Sequence, residues 1–112
     1  MKIAIPLVNG VLSSHFGHCE CFAIINKDPA GKVFLSKEEV MPPLHEPELY
    51  PSWLANKGVT HVIAGGMGEN AINLFLQYNI EVVAGVPGET PEKIAKKFQK
   101  HSHISQKNHW MP

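Results

Sequence analysis

The stretch His61-Val62-Ile63-Ala64-Gly65-Gly66-Met67-Gly68 is a compact apolar run that passes directly into a glycine-rich turn. The turn opens a segment with helical spacing, Glu69 to Tyr78, which carries a wide apolar stripe. Asn79 is a predicted left-handed cap, and a second apolar run, Ile80 to Ala84, follows it. A strand, a helix and a strand of these lengths predict a parallel βαβ unit with the glycine turn at the carboxyl end of its first strand.

Three further strands are predicted before this unit, at Lys2 to Val8, Cys21 to Ile25 and Lys32 to Val40. The turn dipeptide Asn9-Gly10 ends the first of them, and a polar loop over Val11 to His18 follows it. In the third strand polar and apolar residues alternate, which is typical of a strand with one face in water. The three strands therefore predict an antiparallel meander.

Two more helices complete the predicted order of elements. The proline-rich connector Met41 to Pro47 leads into a helix over Tyr50 to Lys57. Thr90 caps a final helix that has Pro91 at its first position. Together the elements predict a three-layer α/β/α fold around a mixed five-stranded sheet of order 3-2-1-4-5, in which strand 2 is antiparallel.

The predicted sheet order identifies where a ligand binds. The chain leaves strand 1 and strand 4 in diverging directions at their carboxyl ends, and open α/β sheets bind ligands at such a switch point. The loops Asn9 to His18 and Gly65 to Asn70 are expected to meet there. We therefore expect the functional site to lie between these two loops.

Composition excludes several classes of protein. The 112 residues have room for one domain, and the formal net charge is zero. All ten basic residues are Lys, and the absence of Arg argues against nucleic-acid binding because Arg is the preferred donor to phosphates and guanine edges. No apolar run approaches the roughly 20 residues of a membrane helix, and the start of the chain does not resemble a signal peptide. These features predict a cytoplasmic protein that does not enter a membrane.

The loop Ser14-His15-Phe16-Gly17-His18-Cys19-Glu20-Cys21 concentrates metal-binding chemistry. Its two imidazoles and two thiols are soft or borderline metal ligands. If the chain is extended there, Cys19 and Cys21 project to the same side, and a closed tetrahedral zinc site would need a sharply folded loop. The alternative interpretation is that Cys21 packs as a small apolar side chain while the histidines are solvated.

The Gly65-Gly66-Met67-Gly68 turn supports two interpretations. Glycines let a ligand approach the backbone closely, and the helix start directs free N–H groups at it, which suits an anion or the sulfide face of a metal cluster. The second interpretation is structural, because tightly packed α/β units commonly have a glycine-rich turn between strand and helix. The turn has neither a Walker Lys-Ser/Thr pair nor a GxGxxG pattern.

Two motifs carry a resemblance to a known family. Ser13-x-His15-Phe16-Gly17-His18-Cys19-x-x-Phe22 and the later Gly-Gly-Met-Gly, in this order, resemble the dinitrogenase iron–molybdenum cofactor biosynthesis family, which includes the NifX and NifB C-terminal-like proteins and the orange proteins. The resemblance covers residues 1 to 100 as one nitrogenase accessory factor-like domain, and we expect residues 101–112 to form a mobile tail. It implies a ribonuclease H-like motif and the binding, carriage or insertion of a metal–sulfur cluster.

The resemblance also implies a set of site residues. It marks the backbone and side chains of His15, Phe16, Gly17, His18, Cys19, Gly65, Gly66, Met67 and Gly68 as cofactor-binding. Candidate metal ligands are His15, His18 and Cys19, with His45 by similarity to relatives and Cys21 from its residue type alone. The implied cofactor is a labile or non-covalently held cluster of the iron–molybdenum or molybdenum–copper sulfide type.

These features predict a non-enzymatic cluster carrier, monomeric or a small homo-oligomer, whose partners are the proteins that donate and accept the cluster. One alternative is a phosphate- or nucleotide-handling enzyme on a ribonuclease H-like fold, which needs clustered carboxylates for two metal ions. Asp28 is the only Asp, and Glu20, Glu46 and Glu69 are scattered along the chain. Another alternative is an interaction module that senses redox or metal state through Cys19 and Cys21.

Overall fold

Residues 1–29, 34–42 and 46–98, which the computed structural model describes, form six strands and three α-helices. The elements in chain order are β1 (Lys2–Val8), β2 (Val11–Leu12), β3 (Cys21–Lys27), β4 (Phe34–Val40), α1 (Tyr50–Asn56), β5 (His61–Ile63), α2 (Glu69–Gln77), β6 (Glu81–Val83) and α3 (Pro91–Lys97). Two short 3-10 turns, Phe16–His18 and Pro47–Leu49, precede β3 and α1. The predicted mixed α/β class is confirmed.

The sheet is mixed and centres on β1. Along it the strands lie in the order β4-β3-β1-β5-β6, and β2 pairs only with β1. β1 is antiparallel to β3 and parallel to β5, where Ile3 lies opposite His61 and Ala4 opposite Val62. Both strands therefore point toward the same edge of the sheet, and β5 ends beside the middle of β1.

The sheet has six strands where five were expected, because the segment predicted as loop after Gly10 begins with a strand. Asn9 and Gly10 have φ values of 54° and 80°. Positive φ at both central residues is typical of a type I′ turn, the two-residue hairpin turn whose twist matches that of the flanking strands. Val11–Leu12 consequently returns along β1, with Leu12 opposite Leu7.

Helices cover both faces of the sheet. Tyr50 and Leu54 of α1 and Phe75 of α2 belong to one buried apolar cluster, whereas Ile94 and Ala95 of α3 belong to the other. The predicted caps are confirmed: Thr90 Oγ1 accepts a hydrogen bond from the Lys93 amide at 3.4 Å, and Asn79 has a φ of 61°. No helix within the described ranges has the length and apolar character needed to span a membrane.

Two predictions concern residues beyond this description. The expected start of the third long strand at Lys32 lies outside the described residues, as does the tail 101–112. The extent of the domain, residues 1 to 100, stays a prediction.

Candidate functional site

The two loops predicted to form the site are in contact. The amide of Phe16 donates a hydrogen bond to the carbonyl oxygen of Gly66 at 3.2 Å. A cavity of about 480 Å³ lies between the loops and is lined by His15, Phe16, Gly17, His18, Pro47, Gly66, Met67, Gly68 and Ala71. Seven of the nine predicted cofactor-binding residues thus line one cavity, whereas Gly65 and Cys19 do not.

Gly65 and Gly66 are required for packing between the loops. A Cβ at Gly65 would lie 2.9 Å from the carbonyl oxygen of Ser13, and one at Gly66 would lie 2.8 Å from that of Ser14. Real Cβ atoms essentially never approach an oxygen so closely, so any larger residue would push the loops apart. Tight packing between the loops therefore explains why positions 65 and 66 are glycine.

Gly68 lies in a different environment. No heavy atom lies within 4 Å of the position that its Cβ would take, so steric crowding does not require glycine there. Gly68 is the N-cap of α2 and offers no side-chain acceptor to the first N–H groups of the helix. Gly68 and Ala71 line the cavity. The start of α2 consequently faces the cavity with N–H groups that no side chain caps, and these can donate to an anionic ligand, although the Glu69 carboxylate in the same turn offsets part of the helix dipole.

Phe16 anchors the histidine loop to the core. Its side chain is 5% exposed, and its ring makes edge contacts with Phe75, Tyr50 and Phe22 at centroid distances of 5.3, 5.7 and 5.8 Å. Burial of this one ring fixes the short 3-10 turn, Phe16–His18, above the aromatic cluster. The role predicted for Phe16 as a cofactor contact stays a prediction, since the ring itself packs inward.

The two histidines of the loop are exposed on either side of this anchor. His15 and His18 have ring centroids 5.9 Å apart in an edge arrangement. Gly17 between them packs closely on Pro47, because a Cβ at Gly17 would lie 3.1 Å from Pro47 Cγ. The cavity therefore has a pair of imidazoles on one wall and the start of α2 on the other.

Cys19 and Cys21 lie on opposite sides of the sheet. Cys19 is 4% exposed and belongs to the cluster under α1 and α2, whereas Cys21 is half-buried against the cluster under α3. The expectation that both thiols project to the same side is wrong. That expectation assumed an extended strand from Cys19 to Cys21. Instead, Cys19 is the C-cap of the 3-10 turn, and β3 begins only at Cys21.

Burial also changes the chemistry of both thiols. It raises the pKa of Cys19 from its usual 9.0 to about 11, with a smaller contribution from Cys21. Burial likewise raises the pKa of Cys21, and the carboxylates of Glu39 and Glu20 raise it further. Because the thiolate is the form that binds metals and attacks electrophiles, both side chains are neutral and weakly reactive near neutral pH.

No three His, Cys, Asp or Glu side chains come together as a possible metal site in the part of the chain that is described. His45, one of the predicted ligands, lies outside the described residues. The remaining predicted ligands divide into the exposed pair His15 and His18, which line the cavity, and two thiols that do not line it, the buried Cys19 and the half-buried Cys21. Their roles as ligands stay predictions.

Two cavity residues, Pro47 and Ala71, did not stand out in the sequence. Ala71 lies in the first turn of α2, so the glycine-rich turn before this helix already indicated that Ala71 would lie near the site. Pro47 begins the 3-10 turn ahead of α1, and its contact with Gly17 joins segments thirty residues apart. Nothing in the local pattern around Pro47 indicated that contact.

Comparison with known proteins shows the family of the chain. Residues 1–101 match the family model described as dinitrogenase iron-molybdenum cofactor. The chain belongs to the dinitrogenase iron-molybdenum cofactor family. The family resemblance inferred from the two loop motifs is thereby confirmed.

One relative by sequence and two solved structures resemble this family member. An uncharacterized protein of Methanocaldococcus jannaschii is 32% identical over 88 residues, which cover 73% of this chain and 72% of that protein. The crystal structure of PH0822 has a TM-score of 0.75 at 28% identity and covers 86% of this chain and 87% of that one. The apo orange protein from Desulfovibrio gigas has a TM-score of 0.67 at 20% identity and covers 86% and 83%, which shows likeness of fold alone.

Proposed function

We propose that the chain is a cytoplasmic carrier that binds a metal–sulfur cluster in the cavity between its histidine loop and its glycine loop. The cargo is an iron–molybdenum cofactor precursor or a molybdenum–copper sulfide, received from one protein and passed to another. Family membership supports a role in assembly of this cofactor. The observation that carries the proposal is the single cavity that contains His15, His18 and the uncapped start of α2. The ribonuclease H-like description of the fold belongs to the same proposal.

The two walls of the cavity suit the two kinds of atom in such a cargo. Sulfides are anionic acceptors, and backbone N–H groups at the start of α2 are donors aligned with the positive end of the helix dipole. Metal atoms of the cluster bind neutral imidazole, which His15 and His18 offer on the facing wall. A cluster that supplies most of its own metal ligands as sulfide needs few from the protein, which fits the two imidazoles that the described residues place in the cavity.

The cavity suits soft sulfide better than phosphate. Phosphate sites combine a helix start with Lys or Arg, and none of the nine described residues that line this cavity is Lys. The sequence contains no Arg at all. Backbone amides and imidazoles of the described residues would hold a cluster less tightly than thiolates do, so the cluster could be released, as a carrier requires.

The carboxylates needed by the alternative enzyme are not gathered within the described ranges. Glu20 instead accepts a hydrogen bond from the Asn9 amide at 3.0 Å and stabilises the β1–β2 turn. A thiol-based sensor is disfavoured because Cys19 and Cys21 pack against opposite clusters and have raised pKa values. The geometry therefore favours the carrier over both alternatives.

Reconstitution tests the proposal. The purified chain is incubated anaerobically with tetrathiomolybdate plus copper or iron, and then passed through gel filtration. We expect charge-transfer bands to elute with the protein, and His15→Ala and His18→Ala to reduce the retained absorbance. Lys93→Ala, at an exposed position of α3 on the opposite face of the sheet, is the control and is expected to retain it. Elution of the protein without these bands overturns the proposal.

A further inference from the structure

A second cavity lies on the opposite face of the sheet, between α3 and the start of β4. It has a volume of about 400 Å³ and is lined by Lys27, Phe34, Glu92, Ala95 and Lys96. None of these residues lines the cavity between the histidine loop and the glycine loop. The volume falls in the range of small-molecule sites in proteins, so this second cavity is large enough for a ligand of its own.

A β-bulge turns the Phe34 side chain toward this cavity. In the register between β3 and β4, Asn26 lies opposite Ser36 and Lys27 lies opposite Phe34, so Leu35 is an extra residue without a partner in β3. Side chains alternate between the two faces along a strand, and an extra residue shifts that alternation by one. Phe34 therefore shares a face with Lys27, and its ring is 46% exposed at the cavity. Bulges that redirect a side chain in this way are frequent next to active sites.

Lys27 brings a buried amino group to the cavity. The residue is 4% exposed, and its Nζ donates hydrogen bonds to the carbonyl oxygens of Ala95 at 2.6 Å and Phe98 at 2.7 Å. An ammonium group has three N–H donors, and the described residues supply an acceptor for two of them. Burial lowers the pKa of this group, whereas the charge of Asp28 raises it. A bound anion would offset part of the desolvation cost of the ammonium form.

The two remaining charged side chains of the lining differ in their partners. The Glu92 carboxylate accepts a hydrogen bond from Lys37 Nζ at 2.5 Å, and this contact lowers the pKa of Glu92. Lys96 is exposed, and among the described residues it takes part in no ion pair. The lining therefore offers one ammonium group, that of Lys96, which complements a single negative charge on a ligand.

We propose that this cavity binds an amphipathic monoanion, a small organic molecule that carries one carboxylate or sulfonate group on an aromatic or aliphatic body. The Phe34 ring, the Ala95 methyl group and the aliphatic part of Lys96 form the apolar wall. The Lys96 ammonium pairs with the anionic group, and the buried Lys27 adds to the attraction. A small inorganic anion gains nothing from the apolar wall, so the site is separate from the proposed cluster site in both place and chemistry.

Titration with anilinonaphthalene sulfonate, an aromatic monoanion whose fluorescence increases in apolar surroundings, tests the inference. We expect one saturable site per folded chain and, in the ¹⁵N-labelled protein, the largest amide shifts at Lys27, Phe34 and Ala95. Phenylnaphthylamine has the same rings without the sulfonate, and we expect it to bind about fivefold more weakly. Equal affinities for the two probes, or shifts confined to another surface, overturn the inference.

Variants of the lining separate the two contributions. Phe34→Thr removes the ring from a strand position that suits threonine, and we expect about tenfold weaker binding of the sulfonate. Lys96→Gln removes the charge, and we expect about threefold weaker binding. Lys93→Gln changes an exposed lysine of the same helix outside the cavity lining, and it should bind like the parent chain. The inference is overturned if Phe34→Thr binds as tightly as the parent chain, or if Lys93→Gln and Lys96→Gln weaken binding equally. Thermal unfolding verifies that each variant is folded.

Tetrathiomolybdate distinguishes this cavity from the candidate functional site. It is an inorganic dianion without an apolar body, so we expect it not to displace the fluorescent probe at equal concentration. His15→Ala and His18→Ala change side chains of the other cavity and should bind the probe like the parent chain. Displacement of the probe by tetrathiomolybdate, or loss of probe binding in either histidine variant, would place the probe at the other cavity and overturn the inference.

Discussion

The amide of Phe16 donates its hydrogen bond to the carbonyl oxygen of Gly66, and this 3.2 Å contact joins the histidine loop to the glycine loop. The Phe16 ring is buried among aromatic side chains on the core side of the same residue. One residue therefore connects the core, the turn that carries the imidazoles and the segment that begins α2. The geometry of the candidate site follows from this connection, so changes at either loop should affect stability and binding together.

Gly66→Ala should separate the loops, because its Cβ would lie 2.8 Å from the Ser14 carbonyl oxygen. We expect the free energy of unfolding to fall by about 1–3 kcal/mol, the usual cost of overpacking. Urea unfolding measures the change. Gly68→Ala is the matched control, since its Cβ meets nothing within 4 Å and its φ of −69° suits alanine. A loss of less than about 1 kcal/mol is expected there, and equal losses for both variants would contradict this account.

Cys19 should react slowly with alkylating agents until strongly alkaline pH. Burial raises its pKa to about 11 from 9.0. Each pH unit below the pKa lowers the thiolate fraction tenfold, so a pKa of about 11 in place of 9.0 reduces the thiolate fraction near neutral pH about a hundredfold. Iodoacetamide labelling of a Cys21→Ser variant, followed by mass spectrometry, measures the rate. We expect the rate to keep rising beyond about pH 10 and to become ordinary in urea. A plateau near pH 9 in the folded protein would show that the pKa is not raised.

Tyr50→Phe should leave the stability of the protein unchanged or increase it by about 1 kcal/mol. Tyr50 is 1% exposed, and its hydroxyl oxygen has no hydrogen-bond partner within the described residues. Removal of an unsatisfied buried polar group relieves its desolvation cost while the ring keeps its contacts. Calorimetry or urea unfolding measures the difference, and Tyr50→Ala should cost about 3–5 kcal/mol. A clear loss of stability in Tyr50→Phe would mean that the hydroxyl group has a partner.

Lys27→Met should destabilise the end of α3. Lys27 is 4% exposed, and its Nζ donates hydrogen bonds to the carbonyl oxygens of Ala95 at 2.6 Å and Phe98 at 2.7 Å. Methionine keeps the aliphatic part of the side chain but leaves both carbonyl oxygens without this donor. We therefore expect the free energy of unfolding to fall by about 2 kcal/mol or more. Lys93→Met, at an exposed position of the same helix, should change stability by less than about 0.5 kcal/mol. Hydrogen exchange of the α3 amides provides a second measurement, and equal protection in both variants would refute the role of Lys27.

The sequence predicted best the features that depend on interactions between neighbouring residues. Helical periodicity, the cap at Thr90 and the left-handed Asn79 were all predictable, because each depends on a few neighbouring residues. The contact between the two loops was also predictable, because parallel strands place their carboxyl ends at one edge. The helices and caps follow from patterns within a single stretch of sequence, and the contact between the loops follows from the predicted order of the strands.

The remainder depends on distant contacts. The burial of Cys19 requires the aromatic rings brought from α1 and α2, and the burial of Lys27 requires the end of α3 some seventy residues away. The strand Val11–Leu12 is too short for a periodic signal, although the Asn9-Gly10 turn marks the hairpin. Neither buried side chain has a signature in its own segment that distinguishes it from an exposed one, whereas the short strand could have been inferred from the turn before it.

Chemical-shift mapping tests the central claim most directly, namely that an anionic metal–sulfide cargo binds against the start of α2. The ¹⁵N-labelled chain is titrated with tetrathiomolybdate alone, and backbone amide shifts are followed. We predict the largest changes at Glu69, Asn70 and Ala71, with smaller ones at His15 and His18, and no comparable change around Lys27 on the opposite face. Saturable shifts confined to another surface, or no shifts at all, would contradict the account.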